Sequence, residues 1–353
     1  MLFALALIVI PGIFVNALQV LTLLVRPFSL PLFRKLNREL VNLHWPLLVW
    51  LIEGWAGVKL KLYGDKLPHN ETMIGILNHR SDVDWMIGFA LCGRKCVLGA
   101  LKVIVKTAHL MIPVFGLMEY FVEFIFVKRN WQEDKAALEK GLLSLQTFPK
   151  PFWFIIFPEG TRYSQKRKEA NQVWARENGK TPLEHVLWPR AKAFVMATQT
   201  LKGTVDAIYD ATMIFEKEVT FFDLLKGRGN TVVHFYVKRY DMAQVANKTD
   251  GELEAWLDER WMEKEKLFHV FSQNSSFLVP ELKDELPMKS HYFVVAWVMV
   301  TLSFITITLR SLPPISWDVI QHAAFIAVGL SVVGILMLVS VLRQTSSSKK
   351  KSK

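Results

Sequence analysis

Cysteine is almost absent from this sequence of 353 residues, in which only Cys92 and Cys96 occur. Two cysteines cannot form the disulfide framework of a small secreted domain, and one C-x3-C pair without further ligands is not a zinc site. We therefore expect two reduced core thiols in a domain that faces the cytosol. Basic helix-turn-helix patterns, zinc fingers and base-stacking aromatic motifs are also missing, so nucleic acid is not an expected partner.

A G-x-S-x-G nucleophile elbow is absent as well. In α/β hydrolases that motif presents a serine on a sharp turn between a strand and a helix. A covalent serine intermediate of the hydrolase type is therefore not indicated. Direct reaction between two bound substrates is the better hypothesis.

Acidic residues are outnumbered, because 32 Asp and Glu stand against 43 Lys and Arg, which gives a net charge of +11. Such an excess favours anionic partners, here an anionic bilayer surface or phosphorylated substrates. Hydrophobic residues make up 51% of the chain, and the mean hydropathy of +0.23 is high for a soluble enzyme. Because the apolar excess is concentrated at the two ends, we predict membrane segments around a globular centre.

The N-terminal residues 1–25 contain no charge and are long enough to span a bilayer as a helix. They lack the basic leading region of a cleaved signal peptide, so an uncleaved anchor is predicted. Arg26 and Arg34 follow, which places that flank in the cytosol by the positive-inside rule. Residues 44–58 carry interface-preferring tryptophans and are predicted to lie in the cytosolic face of the membrane, the alternative being a buried helix of the globular domain.

Two further apolar segments, residues 292–309 and 323–342, are each able to span a bilayer, and a helical hairpin is their simplest arrangement. The basic tail keeps the C-terminus in the cytosol. Its end, Lys350-Lys351-Ser352-Lys353, looks like the dilysine retrieval signal of endoplasmic reticulum membrane proteins. The predicted parts are a membrane anchor with an interfacial helix (1–58), a catalytic domain (59–285), a transmembrane hairpin (286–343) and a cytosolic tail (344–353).

The central region alternates short apolar runs with polar, helix-like stretches, a pattern that predicts an α/β domain. The predicted strands are residues 59–63, 73–77, 124–128, 152–157, 204–209 and 232–237. Residues 131–147 are predicted to form a charged amphipathic helix, and residues 110–126 a buried or membrane-facing part of the fold. Residues 252–271 are predicted to form an amphipathic helix that packs on the core, with the bilayer as the alternative.

A polar cluster follows the predicted strand at residues 73–77 and precedes an apolar segment that opens a helix. Asn78 and His79 stand at this junction, and Asp84 comes five residues after the histidine. A carboxylate beside an imidazole fixes its tautomer and stabilises the cation formed when the ring accepts a proton. We therefore predict a catalytic dyad of His79 and Asp84, with Ser81 or Asp82 as the helix cap. The alternative is a histidine that only bonds within a turn.

A second polar turn, Pro158-Glu159-Gly160-Thr161-Arg162, follows the predicted strand at residues 152–157. Gly160 can take conformations closed to other residues, and Arg162 has the planar fork suited to bidentate phosphate binding. Thr161 adds a hydroxyl and a backbone donor, and Glu159 is expected to orient Arg162 or pair with it. A structural turn with a surface ion pair is the alternative.

Two further cations are candidates for the same anion. Arg129 follows a predicted strand and is a possible second phosphate ligand, unless it belongs to a solvated strand end. Lys106 is a third candidate. Pro189, in the stretch 186–190, is assigned to a strand edge in the pocket wall, because proline cannot donate to a sheet.

These residues occur in the order and approximate spacing of the four motif blocks of the glycerolipid acyltransferases: Asn78-His79 with Asp84, then Arg129, then 157–162, then Pro189. The chain resembles the 1-acylglycerol-3-phosphate (lysophosphatidate) acyltransferase family, closest to its long eukaryotic membrane-bound members, over about residues 10–310. Arg190 and residues 206–210 belong to the resemblance. Two positions depart from it, Lys128 where many relatives have an acid and Trp188 where a small or β-branched residue is usual.

The resemblance implies a glycerolipid-acyltransferase-like α/β domain with N-terminal anchoring helices and a C-terminal transmembrane hairpin. It implies that His79 is the general base on the free hydroxyl of lysophosphatidate, which attacks the thioester of acyl-CoA to give phosphatidate, while Asp84 holds the imidazole. Arg129 and residues 159–162 would bind the phosphate. No metal or cofactor is required besides acyl-CoA as co-substrate.

The implied location is the endoplasmic reticulum membrane, with several spans and a catalytic domain that faces the cytosol. The nearer alternative is the same chemistry on another lysophospholipid, such as lysocardiolipin or lysophosphatidylinositol. An alternative of another class is a non-catalytic membrane scaffold. Loss of His79, Asp84 or Arg162 would favour the scaffold, and all three residues are present.

Overall fold

The structure is a computed structural model, and it describes residues 1–283 and 290–311. The chain has two compact units, the first Met1–Val298 and the second beginning at Met299. The predicted span at residues 323–342 and the tail with its lysine motif lie outside the described residues. The predicted C-terminal hairpin is therefore not confirmed.

Within the described residues, seven strands form one sheet, which confirms the predicted α/β domain. The order across the sheet is β1-β7-β6-β2-β5-β3-β4, and the strands are β1 (Lys59–Gly64), β2 (Met73–Leu77), β3 (Leu101–Lys106), β4 (Ile125–Val127), β5 (Trp153–Ile156), β6 (Ala207–Phe215) and β7 (Val232–Asp241). Strands β6, β2, β5, β3 and β4 run parallel to one another. Strand β7 is antiparallel to β6 and pairs in parallel with β1.

The predicted strands all overlap strands of the sheet, and β2 begins and ends at the predicted residues. The prediction for residues 204–209 is wrong at both ends, because β6 begins at Ala207 and continues to Phe215. Strand β7 is likewise longer than predicted. Strands β6 and β7 pair antiparallel from Ala207 opposite Asp241 to Phe215 opposite Val233. This pairing accounts for the length of both strands.

One strand, β3, was not predicted. Lys102 interrupts its apolar pattern, yet this lysine is fully buried. Its ammonium group donates to the carbonyl of Val122 and lies 3.6 Å from the centre of the Phe148 ring. Burial lowers the pKa of Lys102 to about 7. A lysine with such partners is tolerated inside a sheet. In the sequence alone, a lysine within an apolar run indicates a surface position, so the strand was missed.

The helices are α1 (Leu2–Leu21), α2 (Leu30–His44), α3 (Pro46–Val49), α4 (Asp84–Arg94), α5 (Phe115–Phe121), α6 (Trp131–Gln146), α7 (Gln165–Glu177), α8 (Lys192–Leu201), α9 (Phe221–Leu225), α10 (Asp250–Asn274) and α11 (His291–Ser311). Helix α6 confirms the helix predicted at residues 131–147. Helix α10 confirms the prediction for residues 252–271 and packs on the core, since Leu253, Leu257 and Trp261 are fully buried. Helix α11 covers the predicted first span of the hairpin.

Among the described residues, one helical stretch, Leu2–Leu24, is long and apolar enough to cross a bilayer, with a mean hydropathy of 2.2. One face of α1 packs on the domain, where Asn16 Nδ2 donates to the carbonyl of Val114 (3.1 Å) and Ile8 O lies 2.8 Å from His44 Nε2. The opposite face is apolar and exposed. Helix α1 is therefore fixed to the domain along its side.

The segment 44–58 is buried in the core, so its predicted place at the membrane face is wrong. The alternative, a buried helical segment of the globular domain, is confirmed. Trp45 and residues 47–49 are at most 1% exposed, and a π-helix, Trp50–Trp55, completes the segment. The predicted region 110–126 is divided between the two environments. Met118 and Phe121 are buried, whereas Met111 and Tyr120 are exposed.

Candidate active site

Four parallel strands end at the same edge of the sheet, and each is followed by a predicted site residue. His79 comes after β2, Lys106 ends β3, Arg129 comes after β4, and residues 157–162 come after β5. The carboxyl edge of parallel strands is the usual place for a site in an α/β sheet. The topology thus brings together residues that are 83 positions apart in the sequence, from His79 to Arg162.

His79 and Asp84 are in direct contact, as predicted: the Nδ1 atom of His79 lies 2.7 Å from Oδ2 of Asp84. The Asp84 side chain is fully buried, while that of His79 is 18% exposed. The imidazole packs against the Phe157 ring with the ring centres 4.8 Å apart. With Nδ1 engaged by the carboxylate, Nε2 is the nitrogen left for a reactant.

Asp84 also begins α4, and the predicted capping by Ser81 or Asp82 is wrong. The helix has Val83 at its N-cap position and no side-chain cap there. Instead the Asp84 carboxylate accepts the backbone N–H groups of Arg80 (2.6 Å) and Ser81 (3.0 Å). The loop that carries His79 is therefore folded around the same carboxylate that holds its ring. Burial raises the pKa of Asp84, and the hydrogen bonds from His79, Ser81 and Arg80 act against this rise.

The turn after β5 contains Gly160 at a φ of +65°, a conformation that favours glycine, as expected. It brings Thr161 and Arg162 to the surface, where the Arg162 side chain is 50% exposed. The N–H of Tyr163 donates to the carbonyl of His79 (2.7 Å), which joins this turn to the loop of the dyad. The ion-pair partner of Arg162 is Asp82, at 3.7 Å.

Glu159 does not pair with Arg162, contrary to the prediction, because Arg162 pairs with Asp82. Glu159 is only 3% exposed, so its carboxyl is buried. Burial raises the pKa of Glu159 to about 8, while the backbone N–H of His79, the indole of Trp261 and the charge of Lys264 act in the opposite direction. A buried carboxyl suits a structural role better than contact with an anion.

Two arginines that were not predicted as phosphate ligands join Lys106, Arg129 and Arg162. Removal from water and the neighbouring charges of Arg167, Arg190 and Arg162 lower the pKa of Arg129. Removal from water and the charges of Arg129, Arg162 and Arg167 lower the pKa of Lys106. Cations that lie close to one another attract an anion into the space among them. The five residues, Lys106, Arg129, Arg162, Arg167 and Arg190, are called the cation cluster below.

The remaining motif residues support this edge of the sheet. Asn78 is fully buried, donates to the carbonyl of Met213 (2.9 Å) and accepts its N–H (2.7 Å), which fixes β2 to β6. Pro158 and Pro189 are buried, and the carbonyl of Pro158 accepts the N–H of Arg190 (2.8 Å). Pro189 belongs to an irregular segment and not to a strand edge. Its position nevertheless holds Arg190 beside the turn at Gly160.

An apolar cavity of about 40 Å³ is lined by residues of α4 and of the sheet, and Asp84 and Phe157 belong to its wall. Its wall includes Leu77, Trp85, Gly88 and Ile155. A Cβ atom on Gly88 would meet nothing within 4 Å. This helical glycine therefore leaves space in the cavity that a larger side chain would fill. The dyad thus lies between a charged surface and an apolar cavity.

One group in the described part of the chain has ligand atoms close enough to share a metal ion, His185, Glu265 and His269, all within 4.8 Å. The carboxylate of Glu265 already accepts the N–H groups of Glu184 (2.9 Å) and His185 (3.0 Å). This carboxylate therefore serves the turn at residues 184–186. The dyad has no part in the group.

Known protein families match most of this chain. The family described as Acyltransferase matches residues 59–216, and the one described as Acyltransferase C-terminus matches residues 223–301. A 1-acyl-sn-glycerol-3-phosphate acyltransferase 2 from Brassica napus is 34% identical over 353 residues, which cover 97% of this chain and 88% of that protein. The chain belongs to the 1-acyl-sn-glycerol-3-phosphate acyltransferase family. It is therefore an enzyme, an acyltransferase.

Animal members of the 1-acyl-sn-glycerol-3-phosphate acyltransferase family are similar to a comparable degree. The gamma form from Mus musculus is 34% identical over 276 residues, which cover 76% of this chain and 73% of that protein. A crystal structure of the 1-acyl-sn-glycerophosphate (LPA) acyltransferase PlsC from Thermotoga maritima gives a TM-score of 0.47 at 18% identity and covers 76% of this chain and 92% of that one.

Proposed function

We propose that this acyltransferase moves a fatty acyl chain from acyl-CoA to the sn-2 hydroxyl of lysophosphatidate, giving phosphatidate. The observation that carries the proposal is the His79–Asp84 pair at the same sheet edge as the cation cluster. The names of the relatives support the same acceptor.

In the proposed reaction, Nε2 of His79 takes the proton of the acceptor hydroxyl while the oxygen attacks the thioester carbonyl. Asp84 stabilises the imidazolium through its bond to Nδ1. Collapse of the tetrahedral intermediate breaks the carbon–sulfur bond and leaves the acyl chain as an ester. The proton passes from His79 to the departing thiolate of CoA, which returns the base to its starting form.

The cation cluster favours an acceptor with a phosphate monoester. Such a group carries close to two negative charges at neutral pH, whereas the phosphodiester of a lysophospholipid with a larger head group carries one. Arginine forks bind phosphate oxygens in pairs, and partial removal from water strengthens the attraction. Lysophosphatidate is therefore preferred over lysophosphatidylinositol, and over lysocardiolipin because the two charges of that lipid are divided between two separate phosphodiesters.

We place the enzyme at the cytosolic face of the endoplasmic reticulum membrane, where its lipid substrates and the soluble acyl-CoA meet. The exposed face of α1 and the neighbouring segment before α5 form an apolar surface that suits contact with lipid. It includes Phe3, Leu5, Ile10, Ile13, Leu18, Leu21, Leu24, Phe28, Leu110, Met111 and Ile112. The basic C-terminal tail supports the same side of the membrane.

The deciding experiment measures transfer from labelled oleoyl-CoA in membranes that contain the full-length protein. Lysophosphatidate, lysophosphatidylinositol and lysocardiolipin are offered separately and then in competition. We expect labelled phosphatidate as the main product. Preferential acylation of lysocardiolipin would retain the chemistry and refute the proposed acceptor, and a protein that acylates no lysolipid would refute the proposal as a whole.

Arg167→Ala is expected to raise the KM for lysophosphatidate about tenfold, because one charged contact of ~1.4 kcal/mol is lost from the cation cluster. The kcat is expected to change little, since the dyad is untouched. Arg176→Ala, on the exposed face of the same helix, is the matched control and leaves both constants unchanged. Equal KM values for the two variants would remove Arg167 from the phosphate site.

We further propose that the apolar cavity receives the acyl chain next to the dyad. Gly88→Leu would fill the open part of its wall, so kcat/KM for oleoyl-CoA is expected to fall about tenfold relative to octanoyl-CoA. Gly251→Leu is the control, because a Cβ there also meets nothing within 4 Å but lies on the exposed start of α10. An unchanged chain-length profile in Gly88→Leu would contradict this place for the chain.

A further inference from the structure

Arg80 directly follows the histidine of the dyad, and its backbone belongs to the loop of the dyad. Its N–H donates to Oδ2 of Asp84 (2.6 Å), the same oxygen that lies 2.7 Å from Nδ1 of His79. One carboxylate oxygen therefore receives both the ring of residue 79 and the backbone of residue 80. A displacement of the backbone at Arg80 moves that oxygen relative to the imidazole.

The side chain of Arg80 contacts two other segments of the chain. Its guanidinium lies over the Tyr163 ring, 4.2 Å from the ring centre, and Nη1 donates to the carbonyl of His185 (2.8 Å). The N–H of Tyr163 in turn donates to the carbonyl of His79 (2.7 Å). Residues 79, 80 and 163 thus hold one another through one hydrogen bond and one cation–π contact.

The turn that accepts the hydrogen bond from Arg80 is itself fixed by α10. The Glu265 carboxylate accepts the N–H groups of Glu184 (2.9 Å) and His185 (3.0 Å). The His185 ring also stacks on the Phe268 ring, with the ring centres 5.4 Å apart and the planes 6° from parallel. Glu265 and Phe268 lie within the part matched by the Acyltransferase C-terminus family. A continuous series of contacts therefore joins that part to the dyad.

An ion pair does not explain the position of the Arg80 side chain. Its carboxylate partner is Glu218, at 3.6 Å, and the Glu218 side chain is 68% exposed. An exposed pair of this kind contributes little to stability. A guanidinium is planar, so it stacks on a ring while its N–H groups donate in the plane, a combination that the ammonium group of lysine lacks. The contacts with Tyr163 and His185 therefore set the position of the side chain.

A cavity of about 510 Å³ lies beside these contacts, and Arg80, His185 and Phe268 belong to its wall. Removal of the guanidinium is expected to enlarge this cavity instead of bringing another side chain into contact. The backbone of residue 80 would keep its bond to Asp84 but lose its connection to the surrounding segments. The loop of the dyad would then be free to shift.

We propose that Arg80 is a positioning residue for catalysis: its guanidinium fastens the loop of the dyad to Tyr163 and to the turn at residues 184–186, and so keeps the imidazole beside Asp84. This inference rests on the proposed role of His79 as the base. Arg80 contacts neither reactant in this role. It acts on the rate through the geometry of the dyad.

The first test measures the kinetics and the melting temperature of Arg80→Met in the full-length protein. The variant is expected to fold, since the exposed Glu218 carboxylate stays in water when its partner is removed. We expect kcat to fall about 10- to 100-fold with an unchanged KM for lysophosphatidate, because the imidazole is displaced while the cation cluster is intact. A raised KM with normal kcat would make Arg80 a substrate ligand and overturn the proposal, as would wild-type values of both constants.

Arg260→Met is the matched control. The Arg260 guanidinium also lies over aromatic rings, those of Tyr240 and Trp256, and it pairs with Glu263, but these partners lie on β7 and α10. Its replacement removes the same kind of contacts elsewhere in the domain. The kcat per folded molecule is expected to be unchanged, and a loss equal to that of Arg80→Met would contradict a specific role for Arg80.

Two further variants test the route itself. Arg80→Lys keeps the charge but not the planar fork, so its kcat is expected to stay at least about fivefold below that of the wild type. Tyr163→Leu removes the ring under the guanidinium and is expected to lower kcat as Arg80→Met does. The two losses are expected not to multiply when Arg80→Met and Tyr163→Leu are combined. Full activity in Arg80→Lys, or losses that multiply, would refute the proposed route.

The proton resonance of the His79–Asp84 hydrogen bond, observed by NMR with labelled histidine, is a readout that needs no substrate. It is expected to shift in Arg80→Met and in Tyr163→Leu and to be unchanged in Arg260→Met. An unshifted resonance in the first two variants would refute the positioning role whichever lipid is the acceptor. A shifted resonance in a protein that acylates no lysolipid would instead refute the proposed function and retain the link between Arg80 and the dyad.

Discussion

His79→Ala is expected to reduce acyl transfer by about 10³-fold or more at unchanged protein level, since general base catalysis alone contributes ~10²–10⁴-fold. The effect should fall on kcat, because the cation cluster and the apolar cavity keep their shapes. The Asp84 carboxylate bonds the His79 ring and also the backbone of the loop that carries His79. Among the described residues, no other imidazole has such a partner. Initial rates with oleoyl-CoA and lysophosphatidate measure the loss.

His69→Ala is the matched control for this variant. His69 is exposed in the loop between β1 and β2, and its removal is expected to leave kcat and KM unchanged. If His79→Ala retained the activity of His69→Ala, the dyad would not be the catalytic machinery. The base would then have to be sought among the remaining groups at the carboxyl edge of the sheet.

Asp84→Asn is expected to lower kcat by ~10²–10⁴-fold although its size and shape are preserved. The carboxylate accepts from His79 and from two backbone N–H groups, whereas an amide has only one accepting oxygen. If that oxygen keeps the backbone bonds, the amide donates to Nδ1 and forces the imidazole proton onto Nε2. An imidazole in that tautomer cannot accept the hydroxyl proton.

The kinetics of Asp84→Asn are measured together with its melting temperature, because the same change weakens the start of α4. Asp223→Asn is the control, since Asp223 also bonds backbone at a helix start, in the capping box of α9. A small loss of stability with unchanged kcat is expected there. Wild-type kcat in Asp84→Asn would show that the imidazole keeps its tautomer without the carboxylate.

The positions of the dyad and of the turn at residues 158–162 were predictable from sequence because each follows a strand whose apolar run ends sharply. Met73–Leu77 is a short buried run that stops at Asn78, and the proposed catalytic residues follow it. Asp84 is the first residue of α4, and His79 lies in the short loop before that helix. A spacing of five residues was therefore enough to predict their contact. The contact distance of 2.7 Å confirms that prediction.

Other parts depend on partners that are distant in sequence. The cation cluster includes Arg167 because α7 begins directly after the turn at residues 158–162, and nothing in the sequence of residues 165–168 distinguishes one basic residue from its neighbours. Glu159 was assigned to Arg162 by proximity along the chain. The groups that act against the rise in its pKa include Trp261 and Lys264, which come from α10, about 100 positions later.

The N-terminal region shows a different limit of sequence reasoning. Tryptophans in an apolar segment are as typical of a membrane interface as of a large core. Residues 44–58 belong to the core because α4 packs against them, and the ring centres of Trp45 and of Phe89 in α4 are 4.6 Å apart. Composition cannot separate these two cases.

The position of Asp84 as the first residue of α4 has a consequence for how the enzyme responds to heat. Helix ends open more readily than helix centres, and local opening requires less free energy than global unfolding. When the first turn of α4 opens, the imidazole loses its partner while the seven strands stay paired. We therefore expect inactivation on warming to begin reversibly, below the melting point of the sheet.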